Sequence, residues 1–220
     1  MRTVIEEIPL TDTCMENNPT SVSVPYVNKP FYQMVKRIAD IVIALLSGIL
    51  LAVPMVIVAA IIRLESPGPA IFKQARLGKD GKPFMIMKFR TMRTDAPGQM
   101  AAREFRNSGE YITRFGAFLR RTSIDELPQL MNILRGEMSF VGYRPVCLTE
   151  TELNRLRMEY GVFSVRPGLT GLAQVRGRDG LDYHEKAEID AEYVRDCGFA
   201  MDLWCLLKTV AVVFTGEGVL

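Results

Sequence analysis

The sequence predicts a helix-rich α+β protein, in which a re-entrant membrane helix-break-helix precedes a compact domain with a short β-hairpin and interfacial helices. Three observations predict it. Residues 41–62, IVIALLSGILLAVPMVIVAAII, carry no charge. Two alternating apolar segments then flank Lys79-Asp80-Gly81, and Asp-Gly between such runs is a hairpin signal. Beyond them, Leu127, Leu130, Met131 and Leu134 recur at helical spacing, with Gly136 as a stop.

Three parts follow in order: an N-terminal tail (1–35), the membrane helix (36–63) and a compact domain (64–220). The tail lacks a sustained period, apart from a segment at KPFYQMVKR suited to an interface. The apolar run begins too late for a secretory signal and has no small-residue cleavage site after it. About 20 apolar residues span a bilayer core, so a spanning helix is the simple reading. Pro54 argues for a break, because it removes a backbone donor and clashes with the preceding turn. The 13 uncharged residues before it and the 8 after it are each too short to cross alone. Lys36-Arg37 precede the run and Arg63, Lys73, Arg76 and Lys79 follow it. Basic residues mark the cytoplasmic side, and both ends carry them. A helix that enters and leaves by one face satisfies both flanks; a kinked spanning helix stays open, since membrane helices tolerate proline.

After SPGP at 66–69 comes the hairpin, then a polar excursion at 95–110 and a short basic helix, YITRFGAFLRR. The glycine- and arginine-rich stretch 163–180 reads as a pair of turns, with Pro167-Gly168 suited to type II. It also suits close backbone approach to a phosphate. A helix is expected from about Leu181 to Val194. Residues 199–214 are nearly all apolar but for Asp202 and Lys208. They belong in the core or in the interface, with Trp204 at headgroup depth.

Net charge is only +2 over 220 residues, yet residues 63–121 hold +8 and the remainder −6. A basic block beside an apolar one points to an anionic partner. The four cysteines have no metal-ligand spacing and read as reduced thiols. His184, the one histidine, carries no site alone. P-loop, dinucleotide, HExxH and GxSxG motifs are absent, which removes support for the chemistries they mark.

What remains is RRTSIDELPQLMNILRG at 120–136, with Asp125 and Glu126 adjacent. The bland explanation is a capping box, Ser123-x-x-Glu126, at a helix N-terminus. The chemical one is a nucleophilic carboxylate attacking phosphorus. Two anions repel, so that attack needs a metal ion and arginines. Arg120 and Arg121 lie upstream and Arg144 follows in SFVGYRP. Glu126 is placed to hold Mg²⁺, which takes one or two carboxylates plus substrate phosphates.

KFRTM (88–92), RRTSIDELPQLMNILRGEMSFVGYRP (120–145) and VRPGLTGLAQVRGR (165–178) occur in that order after an apolar segment. Together they resemble the bacterial sugar transferase family, the small monotopic phosphoglycosyl transferases, from about Lys36 to the C-terminus. The resemblance implies transfer of a sugar 1-phosphate from a UDP-sugar to undecaprenyl or another polyprenyl phosphate, with release of UMP. It implies Asp125 as nucleophile, Glu126 in metal binding or proton handling, and both as Mg²⁺ ligands. Arg120, Arg144 and Arg178 match phosphate-binding arginines, Asp190 a supporting acid, and Pro54 the break in the membrane helix. The same resemblance implies a cell-membrane protein with its catalytic domain on the cytoplasmic face. Three positions depart from the family: Val53 replaces a serine before Pro54, Tyr143 a proline beside the phosphate arginine, and Leu172 a tryptophan near the membrane face.

Two rivals remain. An adaptor binding acidic lipid through the basic block would share everything but the dyad and its arginines. Nucleic-acid binding has no fold pattern behind it and is not expected. The sugar, the glycan pathway and any homo-oligomer are left open.

Overall fold

The computed structural model describes residues 29–96, 108–177 and 180–215. The predicted tail therefore falls outside the described residues up to 28, as does most of the polar excursion. Helix α1, Pro30–Glu65, dominates the N-terminal part. It begins earlier than expected because Pro30, with no N–H to satisfy, suits a first helical turn. It also continues through Pro54, so the expected break is corrected to an uninterrupted helix. Proline removes one hydrogen bond, and a helix of 36 residues keeps the remainder on either side.

Antiparallel strands β1 (Ile71–Leu77) and β2 (Pro83–Phe89) form the predicted hairpin. Asp80 and Gly81 supply its left-handed turn residues, at φ 58° and 69°. After the short α2 (Ser108–Tyr111) comes α3 (Arg114–Thr122), capped by Thr113, whose Oγ1 accepts from Gly116 N–H. A 3₁₀ turn, Ile124–Glu126, leads into α4 (Gln129–Arg135). Strand β3 (Ser139–Val141), α5 (Thr151–Glu159), β4 (Gly168–Thr170) and α6 (Leu172–Arg176) follow. Helix α7, Tyr183–Asp196, carries a full capping box between Asp182 and Glu185. Last is α8, Phe199–Thr215.

Within the stretch read as a pair of turns, Gly168–Thr170 is instead a strand that pairs in parallel with β3. The glycines of this stretch serve close backbone crossing. A Cβ on Gly168 would stand 2.1 Å from the Gly142 nitrogen, and one on Gly171 1.8 Å from the Gly142 carbonyl oxygen.

Both halves of α1 pack on the same body. Ala44 is enclosed with Phe84, Ile86, Leu130, Ile133 and Met138, and Ile62 with Ala70, Phe89 and Leu119. Polar contacts fix each end. Arg37 donates to the carbonyls of Ile133 and Leu134, completing the C-terminus of α4. Asp40 accepts from the Ser139 hydroxyl and the Phe140 N–H, each at 3.1 Å. Asp202 of α8 accepts from the hydroxyls of Tyr32 and Tyr193, both at 2.7 Å, and from Lys36. Between Ala44 and Ile62 no residue is buried; Leu50 is 78% exposed. On α8, Phe199, Leu203, Trp204, Leu207 and Val210 are exposed while Cys205 is enclosed, so this helix takes both roles the sequence allowed. Cys147, Cys197 and Cys205 are buried and form no disulfide.

Candidate active site

Four elements converge on the acid pair. Ser123 ends α3 in the left-handed region, φ 57°, which a residue with a Cβ adopts at some cost. That reversal folds 124–126 into a 3₁₀ turn, where Glu126 N–H donates to the Ser123 carbonyl. The serine side chain caps nothing here, so the capping-box reading of Ser123 and Glu126 is corrected. With the backbone already satisfying that donor, both carboxylates are released for other partners.

Asn132 on α4 fixes the turn against the hairpin. Fully buried, it accepts from Met87 N–H at 3.0 Å and donates to the Met85 carbonyl at 2.8 Å. This sets the register of β2, which delivers Lys88. Lys88 Nζ lies 2.6 Å from Glu126 Oε1, and Arg144 Nη2 lies 3.0 Å from the same oxygen. Burial works to raise the Glu126 pKa, but Arg144 and Lys88 prevail and hold it at about 2. Glu126 is therefore ionised throughout the physiological range.

Asp125 differs. It is 9% exposed and accepts no hydrogen bond from another described residue. Burial raises its pKa above the ordinary carboxylate value; Glu126 adds to the rise, while Lys88, Arg120 and Arg144 oppose it. Its oxygens are still reached by solvent, and a carboxylate ringed by Lys88, Arg120 and Arg144 is open to an incoming electrophile that the cations help to hold. Arg120 Nε donates to Thr91 Oγ1 at 2.9 Å, which leaves its terminal nitrogens without another partner among the described residues.

The sequence-predicted residues divide. Asp125, Glu126, Arg120 and Arg144 come together. Arg178 lies outside the described residues. Asp190 is enclosed and pairs elsewhere: Arg157 Nε and Nη2 donate to its Oδ2 at 2.9 and 2.6 Å. Arg157 Nη1 in turn donates to the Arg144 carbonyl at 2.9 Å, so Asp190 braces the Arg144 loop at one remove. Tyr143 is buried with its ring 5.2 Å from the Arg157 guanidinium, a core role rather than a pocket wall. Leu172 is likewise core, packed with Val141 and Tyr193, and not at a membrane face. Lys88, within KFRTM, joins the site as well, and nothing in the sequence alone marks its role. Lys88 lies near the end of β2, and only the fold brings that strand beside Glu126.

Glu126 Oε2 and the Asp125 carboxylate are hard oxygen donors without other partners among the described residues, a set that fits Mg²⁺. No cluster of three or more possible metal ligands occurs among the described residues, so substrate phosphates and water would complete the shell.

A basic cradle surrounds the dyad, beside an exposed apolar helix. The family model for bacterial sugar transferase matches residues 31–216, and the chain belongs to that family. It is 43% identical over 189 residues to the UDP-glucose:undecaprenyl-phosphate glucose-1-phosphate transferase of Caulobacter vibrioides, covering 83% of this chain and 70% of that protein. It is 40% identical to the protein of the same name from Escherichia coli, covering 84% of this chain but 41% of that longer protein. The exopolysaccharide production protein PSS of Rhizobium leguminosarum is 40% identical, over 98% of its length.

Proposed function

We propose that this chain transfers a sugar 1-phosphate from a UDP-sugar to undecaprenyl phosphate, releasing UMP and starting a lipid-linked glycan. The observation that carries this is the buried Asp125 carboxylate, unpartnered among the described residues and surrounded by Lys88, Arg120 and Arg144. An Asp125 oxygen attacks the β-phosphorus, the bond from that phosphorus to the bridging oxygen breaks, and UMP departs with the oxygen. The phosphosugar is then held on Asp125 as an acyl phosphate. A phosphate oxygen of the polyprenyl acceptor attacks the same phosphorus and restores the carboxylate, leaving a polyprenyl diphosphate sugar. Arg120 and Arg144 orient phosphate oxygens through paired N–H donors. Lys88 keeps Glu126 ionised and in place. Mg²⁺, held by Asp125 and Glu126, would neutralise charge as the anions approach.

The long acceptor requires a site at the bilayer. Asp40 and Ile62 both pack on the catalytic body and are about 33 Å apart along a straight helix, close to the thickness of a bilayer core. A helix crossing the membrane would carry one of them to the far side, away from that body. Docking along α1 therefore supports insertion from one face rather than a crossing, with the exposed side of residues 45–61 in the cytoplasmic leaflet and Met55, Val58 and Ala59 against the body. The exposed row on α8 would lie along the same surface, with Trp204 and Lys208 at headgroup level.

The test is rapid quench with labelled UDP-sugar alone, followed by mass analysis of the intact protein. A burst of one UMP per active enzyme and a phosphosugar adduct are expected, with ping-pong kinetics once acceptor is added. Turnover with both substrates but neither burst nor adduct with one would replace the covalent route by direct attack of the lipid phosphate. Absence of any UMP would favour the adaptor reading.

A further inference from the structure

We infer that Thr91 is a positioning residue for Arg120, holding its guanidinium so that the terminal fork faces the Asp125 phosphorus site; this rests on the reading of Arg120 as a phosphate ligand. Arg120 is exposed on the last turn of α3, and a free arginine there would sample many rotamers. The bond that restrains it runs from Nε to Thr91 Oγ1, at 2.9 Å. Donation through Nε occupies the inner edge of the guanidinium and leaves the two outer nitrogens paired for phosphate oxygens.

Thr91 is a firm anchor. It is 7% exposed, and its carbonyl accepts from Thr113 N–H at 3.1 Å. Helix α3 rests directly on that carbonyl, since a Cβ on Gly116 would stand 2.1 Å from it. The preceding residue, Arg90, is tied to the end of α1, donating to the Ser66 carbonyl at 2.7 Å, the Ser66 hydroxyl at 2.8 Å and the Pro67 carbonyl at 2.8 Å. Glu65 Oε1 accepts from Phe115 N–H at 3.0 Å, joining α1 to the start of α3. KFRT thus divides its labour: Lys88 serves Glu126, Phe89 the core, Arg90 the membrane helix, and Thr91 the aim of Arg120.

The experiment measures UMP release from UDP-sugar alone by the full-length protein in nanodiscs, alongside its melting temperature. Thr91→Val keeps the shape and removes the acceptor, whereas Thr91→Ser keeps the acceptor. About a tenfold slower burst is expected for the valine variant and a near-normal rate for serine, with little change in melting. In an Arg120→Ala background, Thr91→Val should cost nothing more, because the two act through one contact. Equal losses in the valine and serine variants, or an additive loss on Arg120→Ala, would overturn the positioning role. So would a normal burst in Thr91→Val beside a slow one in Arg120→Ala. A normal burst in Arg120→Ala would instead overturn the phosphate-ligand reading itself. If the valine variant does not fold, the serine variant decides: a burst slowed as much as in Arg120→Ala overturns the proposal, and a normal one upholds it.

Discussion

Replacing Asp190 by asparagine separates a bracing acid from a reacting one. Asp190 and Arg157 are 1% and 2% exposed, and Asp190 Oδ2 receives two of the guanidinium's bonds. Asparagine keeps the shape and an acceptor but leaves a buried cation uncompensated. Breaking a buried pair in this way costs about 3–5 kcal/mol. For a chain of this size, about 2–4 °C of melting temperature is lost per kcal/mol, so the shift should be about 6–20 °C. Thermal unfolding in detergent micelles, followed by intrinsic fluorescence, measures it. Turnover should also fall, because Arg157 holds the Arg144 carbonyl, but the stability loss is the distinguishing signal. A variant that melts within about 2 °C of wild type and yet has lost turnover would refute the bracing role and return Asp190 to the reacting groups.

Asp125→Asn should abolish UMP formation while leaving melting unchanged or slightly raised. The raised pKa of Asp125 means that the folded state binds its proton more tightly than the unfolded chain. Its charge therefore costs stability above the folded pKa, and an amide removes that cost; a clear fall in melting temperature would contradict this. Activity should decline on the acid side at a pH above the ordinary aspartate range, as Asp125 protonates, and the limb should vanish from no variant that keeps Asp125. The Glu126 pairs contribute stability that is present above the unfolded pKa, near 4.5, and is lost only as pH falls towards the folded value of about 2. Removing a partner should raise that value: Lys88→Met should shift the Glu126 titration upward in carboxyl-resolved NMR and slow the burst about tenfold. Cysteines placed ahead of Lys29 and at Lys82 should both resist a membrane-impermeant reagent in intact cells and react after lysis. Labelling of one alone in intact cells would show a helix that crosses.

Much of this was legible without coordinates, for physical reasons that act locally. The uncharged run 41–62, the Asp-Gly turn of the hairpin and the helix expected from about Leu181 depend on periodicity and on neighbouring residues. The dyad and Arg120 are close in the chain and carry a recognisable motif. The capping box at Ser123 failed because the serine adopts a left-handed conformation and backbone carbonyls satisfy the turn, a choice made by how α3 and α4 pack. Pro54 did not end α1, since a long helix absorbs one missing bond. Long-range pairing was invisible to periodicity. Lys88 meets Glu126 from 38 positions away, and Arg157 meets Asp190 across 33. Asn132 decides the first of these by binding the β2 backbone, and its residue type announced nothing of the kind. The sequence by itself determined the long apolar helix, the hairpin, the helix after the dyad and which groups carry charge. Only the tertiary structure decided which cations stand beside Asp125, because electrostatic interactions in a buried site depend on distances that chain order does not set.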